Sequence, residues 1–236
     1  MASNSQIDRL GERIKNSVLS SEDDLRELDG FRKTFASAYA HVIDVLRTRL
    51  DQTPTGRPEK SNRAIIDKLR RESIRLSQIQ DIAGCRVIVR DSLKQDTLVT
   101  WLKLEFPTAH VDDRRIKPSH SYRAIHVLVT YKNRRVEVQV RTLLQHAWAE
   151  LSEKLSDRFG TELKYGGGRE DVRALLSSLS GTIGDFEQLE WELEAADSGT
   201  ELSVASSDAE GDRKSRMAAV RRDLRSGIDA LVTLVL

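Results

Sequence analysis

The chain has 236 residues and a mass of 26.7 kDa, room for one large domain or one domain with helical extensions. With 39% hydrophobic, 32% charged and only 5% aromatic residues, its profile is soluble, helix-rich and charge-laced, which excludes a membrane protein or a disulfide scaffold. One cysteine, Cys85, leaves no intramolecular disulfide and no cysteine-rich zinc module. No stretch approaches the roughly 20 apolar residues of a membrane helix, and Met1 to Leu10 lacks the apolar run of a secretory signal. The expectation is a cytoplasmic protein. The formal charge of +1 hides a segregation: Arg57 to Arg75 carries seven basic and three acidic residues, Asp185 to Asp212 carries ten acidic and no basic ones, and Arg213 to Arg225 carries six basic and one acidic. Local charge, not the sum, decides whether an anionic ligand is attracted.

Leu25, Leu28, Phe31, Phe35, Tyr39, Val42, Leu46 and Leu50 recur at three- or four-residue spacing behind Ser20-Ser21, which predicts one long helix over 21–50. Asp51 to Glu59, with Pro54, Gly56 and Pro58, reads as a loop. A shorter helix follows from Ser61 or Asn62 to Glu72, with Ile65, Ile66 and Leu69 inward and Arg63, Lys68, Arg70 and Arg71 outward. Gly84 to Arg90 reads as a strand, and Leu93, Leu98, Trp101, Leu102 and Leu104 mark a helix that stops before Pro107.

Tyr122 to Arg141 is the most informative stretch. Alternation places Val136, Val138 and Val140 on one strand face and Glu137, Gln139 and Arg141 on the other. A two-residue turn at Lys132-Asn133 pairs Val129 with Val136, Val127 with Val138 and Ile125 with Val140, leaving His126 opposite Gln139. Thr142 caps a helix with the stripe Leu144, Trp148, Leu151, Leu155 and Phe159. Lys164 to Arg169 reads as a loop, Val172 to Leu189 as a helix, 197–212 as an acidic linker, and Met217 to Val235 as a last helix.

Two carboxylates suggest chemistry. Glu137 projects from a strand between valines, and Asp81 precedes the strand that opens at Gly84. Taken singly, each reads as well as a solvated or turn residue; together, beside a basic zone, they have the composition of a nucleotidyl-transfer site that holds hard cations and phosphates. No G-x-x-x-x-G-K-[ST], H-E-x-x-H or paired C-x-x-C motif occurs. Gly166 to Gly168 reads as a hinge, His146 and Glu150 as a surface pair one helical turn apart, and Cys85 as core.

From Arg57 to Phe159 the residues resemble the synthetase domain of the RelA/SpoT-type alarmone synthetase family, in its small single-domain form. Glu137-Val138-Gln139-Val140-Arg141-Thr142 with His146, Trp148, Ala149 and Glu150 matches the E-x-Q-[IV]-R-T and H-x-W-A-E run. Asp81 to Arg86 matches D-x-x-G-x-R, and Tyr122 to His126 matches Y-x-S-x-H with Ala124 for serine. The resemblance implies an α+β, nucleotidyltransferase-like mixed sheet flanked by helices. It implies a synthetase core over 51–165, between an N-terminal helical extension (1–50) and C-terminal helices (166–236), with no length left for a hydrolase-like or regulatory domain.

It further implies a pyrophosphokinase that moves the β,γ-pyrophosphate of ATP to the 3′-hydroxyl of GDP or GTP, releasing AMP. Asp81 would hold Mg²⁺ on the ATP phosphates, and Glu137 would be the general base and a second metal contact. Lys60, Lys68, Arg86, Lys117, Tyr122, His126, Gln139 and Arg141 would contact nucleotide, with Tyr122 stacked on the acceptor base. The family's Pro-Lys and Asn-Gly before the tyrosine are here Lys117-Pro118 and His120-Ser121; its upstream arginine and serine are Pro58 and Ala64, with Arg57 and Arg63 nearby; and a usual methionine and histidine are Gln145 and Glu153. Two alternatives accompany this reading: a toxic relative that pyrophosphorylates the 3′ end of tRNA, suggested by the basic stretches, and a non-catalytic nucleotide-binding module that has kept the fold. The apolar stripes of the terminal helices suggest either an intramolecular bundle or a homo-oligomer.

Overall fold

Lys132 and Asn133 both take the left-handed conformation, with φ of 47° and 60°, the two-residue turn whose twist matches that of antiparallel strands. It joins β4 (Ile125–Tyr131) to β5 (Arg134–Thr142); Val127, Val129, Val136, Val138 and Val140 are buried while His126 meets Glu137 across the pair, so the expected parity holds. The structure, a computed structural model, describes residues 3–199 and 207–235.

In chain order the helices and strands are α1 (Asn4–Asn16), α2 (Glu22–Lys33), α3 (Ala36–Thr48), β1 (Thr55–Arg57), α4 (Asn62–Arg71), β2 (Ala83–Val89), α5 (Ser92–Glu105), β3 (His110–Asp113), β4, β5, α6 (Leu143–Phe159), α7 (Glu170–Gly199) and α8 (Ser207–Val235). The sheet runs β1-β2-β5-β4-β3. This is the expected α+β class: a mixed five-stranded sheet flanked by helices.

Several local expectations give way. The helix predicted over 21–50 is two, α2 and α3, because Thr34 bonds back through its hydroxyl to the Phe31 carbonyl at 2.6 Å and its backbone N–H tightens onto the same turn. The loop 51–59 contains strand β1, in which Gly56 lies opposite Cys85; a Cβ there would come within 2.5 Å of the Cys85 backbone, so only glycine lets β1 pair. Pro54 and Pro58 flank it as edge-strand residues. The α5 stripe is only half inward: Leu98 and Leu102 are buried, whereas Leu93, Trp101 and Leu104 are exposed. Helix α7 runs on to Gly199 and α8 starts at Ser207, so helix takes in 197–199 and 207–212 of the expected linker; 200–206 lie outside the described residues. Helix α1 has a legible signature that the apolar scan passes over: Ser3 and Gln6 form a capping box, and Ile7, Leu10 and Ile14 are buried.

The chain divides into two compact units. The first comprises Met1–Val87, Leu98–Asp112 and His126–Gln139; in it α1 packs on α2, α4 and a 3₁₀ turn (Leu76–Gln78). The second comprises Ile88–Thr97, Asp113–Ile125 and Val140–Leu236. Its core is the cluster of Leu144, Trp148, Leu151 and Leu155 from α6 with Leu176, Ile183 and Phe186 from α7 and Ile228 from α8. The stripe of α1 is buried within the first unit; of α8, Ile228 is buried in the second, with Met217, Leu224 and Leu231 packed against its core and Val220 exposed. No helix among the described residues is long and apolar enough to cross a membrane.

Candidate active site

In the first unit, three charged side chains predicted from sequence meet. The backbone N–H of Lys60 donates to the Ile82 carbonyl at 2.6 Å, which fixes the residue after β1 beside the entry to β2. Ser61 caps α4, whose buried Ile65 and Leu69 orient the helix. Lys68, expected to point outward, is instead half-buried and reaches Asp81: its Nζ donates to Oδ1 at 2.9 Å, and Lys60 Nζ donates to Oδ2. Burial acts upward on the Asp81 carboxyl, but the two ammonium charges and their hydrogen bonds outweigh it and bring the pKa down to about 2.

Three residues on, Gly84 faces β5: a Cβ there would lie 3.1 Å from the Glu137 carbonyl oxygen and 3.6 Å from Glu137 Cβ. The bare α-carbon clears the space beside the Glu137 side chain. Arg86 shares this face of β2 by period-two alternation and stands half-buried opposite Thr55. Glu137 is buried. Its Oε1 meets His126 Nδ1 at 2.8 Å and its Oε2 accepts from Gln139 Nε2 at 2.8 Å. Burial pushes its carboxyl up, as does the charge of Asp81, yet the facing imidazole and the Gln139 amide prevail and hold it below the usual carboxylate range. Asp81 and Glu137 are therefore both ionised at neutral pH and near enough to repel. Cys85, behind them, is core as expected; burial and then the Glu137 charge push its thiol up to about 12.

Tyr122 and Arg141 meet in the second unit. The Arg141 Nε–H donates to the Tyr122 hydroxyl at 3.1 Å, and its guanidinium carbon lies 5.0 Å from the ring centroid. Arg114 lies over the same ring at 6.0 Å. Tyr122 follows a two-residue turn in which Ser119 and Tyr122 exchange backbone hydrogen bonds at 3.2 and 3.0 Å. His120 and Ser121 occupy that turn at φ of 52° and 70°, so the substituted pair keeps the geometry that Asn-Gly favours. Lys117, upstream, is exposed.

The structure thus brings Lys60, Lys68 and Asp81 together, and His126, Gln139 and Glu137 together. His126 is buried against Glu137 rather than open to solvent. Of the two arginines near the missing upstream one, Arg63 is almost fully exposed beside Asp67, and Arg57 is exposed on β1. Much of the basic stretch 57–75 is engaged inside the chain, with Arg70 donating to the Ser17 carbonyl at 2.6 Å and Arg75 lying 3.8 Å from Asp8. His146 pairs with Glu150 at 3.3 Å, and Glu190 pairs with Arg221, joining the acidic tract to the basic one.

Sequence reasoning misses Arg114, which nothing but its place in an Arg-Arg pair distinguishes, and Glu187. Glu187 is buried in α7, where it bonds the Thr142 hydroxyl and accepts from Gln145 Nε2 at 2.8 Å; burial pushes its carboxyl up. Gln145 in turn accepts from Gln95 Nε2 at 2.9 Å, so the glutamine that replaces the family's methionine knits the start of α6 to α5 and α7.

Residues 56–158 match the family model described as the region found in RelA/SpoT proteins. An uncharacterized protein of Mycobacterium tuberculosis is 33% identical over 150 residues, covering 56% of this chain and 54% of the other. A GTP pyrophosphokinase of Bacillus subtilis is 29% identical over 156 residues, covering 53% and 72%. This chain spans about half the length of the mycobacterial relatives it matches. Among solved structures, the small alarmone synthetase 1 of Bacillus subtilis bound to its product pppGpp superposes with a TM-score of 0.57 at 25% identity, covering 75% of this chain and 98% of that one.

Proposed function

We propose, for a chain whose residues 56–158 belong to the RelA/SpoT family, a magnesium-dependent pyrophosphokinase that makes a guanosine alarmone from ATP and GDP or GTP. The observation that carries this reading is the pairing of Asp81, held between Lys60 and Lys68, with Glu137 across the cleared space at Gly84. The relatives whose names state a pyrophosphokinase or an alarmone synthetase support it.

No cluster of three His, Cys, Asp or Glu side chains suited to a metal occurs among the described residues. Two ionised carboxylates are nevertheless a donor set that suits magnesium, which takes one or two carboxylates and completes its shell with phosphate oxygens and water. Bound by Asp81 and Glu137, the ion would supply neutralisation of the charge that gathers on the phosphates. Lys60 and Lys68 each keep two N–H donors beyond the one spent on Asp81, and these, with Arg86, bind and align the triphosphate. Glu137 accepts the proton of the acceptor 3′-hydroxyl as that oxygen bonds to the β-phosphorus of ATP; the bond from the β-phosphorus to the α,β-bridging oxygen breaks, and AMP leaves with that oxygen. Its lowered pKa keeps it in the base form at neutral pH, and the drive for transfer comes from in-line alignment rather than from basicity. Tyr122 stacks on the acceptor base. ATP and guanosine nucleotides are cytoplasmic, which is where the proposal places the protein.

The test is incubation of the full chain with labelled ATP and GDP, GTP, GMP or tRNA in turn. AMP and a 3′-pyrophosphorylated guanosine nucleotide are expected, with none from Glu137→Gln. Label on tRNA alone would reassign the acceptor, and nucleotide binding without AMP release would establish a binding module instead.

A further inference from the structure

Arg141 is gripped on both sides along the chain. Before it, the Val140 carbonyl accepts from Gln95 Nε2 at 2.7 Å; after it, Thr142 caps α6 and its hydroxyl meets the carboxylate of Glu187 on α7. Gln145 closes the circuit. Its Nε2 donates to Glu187 Oε2 at 2.8 Å and to Gln95 Oε1 at 3.4 Å, and its Oε1 accepts from Gln95 Nε2 at 2.9 Å and from the Thr142 N–H at 3.3 Å. Gln95, Thr142, Gln145 and Glu187 are all buried. A buried network in which every member is satisfied holds one arrangement, and one that loses a partner does not.

This network calls for a carboxylate at 187, not for bulk alone. The Thr142 hydroxyl accepts from the Gln145 backbone N–H at 3.1 Å, so its own hydrogen points at Glu187, and the Gln145 amide points a second hydrogen there. Both oxygens of Glu187 must therefore accept. The ionised group does so; a carboxylic acid or an amide sets a hydrogen of its own against one of the two donors. Where the family usually has methionine, Gln145 supplies one of those donors.

We propose that Glu187 is a positioning residue for the acceptor side of the site: its ionised carboxylate, acting through Thr142 and Gln145, holds Arg141 where the guanidinium orients the Tyr122 ring. The identity of the ligand that Tyr122 meets rests on the function proposed above; the coupling of Glu187 to Tyr122 does not. Sensitivity to acid follows. Burial pushes the Glu187 carboxyl up, the hydrogen bonds from Thr142 and Gln145 and the Arg115 charge oppose it, and the Glu190 charge adds to it. Arg115 is itself paired with Asp96 and Asp113, and Glu190 with Arg221. A cavity of about 390 Å³ lies beside the carboxylate, lined also by Ser92, Asp96, Arg115 and Trp191, and the indole is 42% exposed, so a proton has a path from solvent. Glu187 thus takes up its proton in milder acid than an ordinary glutamate, and Arg141 loses its fixed place when it does.

The experiment reads Tyr122 without turnover. Full-length protein with isotope-labelled tyrosine rings, the Tyr122 resonance assigned by Tyr122→Phe, is compared with Glu187→Gln, which keeps the volume and removes the charge. The resonance is expected to move in Glu187→Gln, and to move the same way in the wild type as pH falls from neutral toward the ordinary glutamate range. Gln145→Met, which removes a donor to the carboxylate, is expected to shift the midpoint of that titration to higher pH, a result that holds whether or not Glu187→Gln folds. In turnover of ATP with GDP, Glu187→Gln should raise the KM for GDP about tenfold while kcat and the KM for ATP stay within about twofold. An unmoved Tyr122 resonance, a midpoint indifferent to Gln145→Met, or equal losses on both substrates, as a merely structural carboxylate would give, overturns the proposal. A Tyr122 response in a protein that releases no AMP with any acceptor sinks the pyrophosphokinase reading and leaves the positioning by Glu187 standing.

Discussion

All four oxygens of Asp81 and Glu137 accept a bond from a side chain set by a helix, a strand or the start of β2, whereas Tyr122 follows a turn that its own residues disfavour. The first region is fixed before any ligand arrives, as suits electrostatic chemistry that gains from preorganisation. The second carries the strain of two L-residues held at positive φ. Arg114 and Arg141 both lie close to the Tyr122 ring, at 6.0 and 5.0 Å from its centroid.

The sharpest way to break this contrast is Glu137→Gln, which keeps the size of the side chain but removes the base and replaces one acceptor oxygen by an N–H donor; kcat per folded molecule should fall about 10³-fold, with the Tm, also expected to drop, measured beside it. A variant retaining more than a tenth of wild-type kcat would show that Glu137 is structural. Asp81→Asn comes next. It leaves two ammonium groups facing a neutral amide, so ATP-dependent turnover should fall about 10²-fold, and roughly 2 kcal/mol of stability should be lost at neutral pH. The sign follows from the lowered pKa: the Asp81 contribution is present above the ordinary carboxylate value and is lost as pH falls toward about 2. Acid denaturation monitored by circular dichroism should therefore show the wild type losing its advantage over Asp81→Asn in that window.

In the second region, Tyr122→Leu should raise the acceptor KM about tenfold through lost stacking while the ATP KM stays within about twofold. Equal effects on both substrates would contradict a division of labour between the two regions. The smallest effect is expected from replacing His120-Ser121 by Asn-Gly, which relieves the turn and should add about 1 kcal/mol, a rise of some 2–4 °C in Tm. An unchanged or lower Tm would show that His120 contributes more through Gly166 than the turn costs.

The carboxylates were legible because strand alternation is strict around Glu137, and because Asp81, Gly84 and Arg86 form a compact signature. The half-burial of Lys68 was not, since α4 periodicity places it outward and only the position of Asp81 turns it in. Arg114 and Glu187 were illegible for the same reason. Neither breaks a local pattern, and each acquires its role from a neighbour distant in sequence: Arg114 from the ring of Tyr122, Glu187 from the cap of α6.

By itself, the sequence determined the β4–β5 hairpin, the helices that follow local caps and stripes, and the identity of both carboxylates, because period and turn chemistry act over a few residues. It also marked His120-Ser121 as a departure from the family's Asn-Gly, which does not reveal the turn that the two residues form. The tertiary structure decided the break between α2 and α3, the pairing of β1 at Gly56, and the clamping of Asp81 by two lysines and of Glu137 by His126. Those depend on which distant surfaces meet, and burial and charge pairing are properties of that meeting rather than of any one segment.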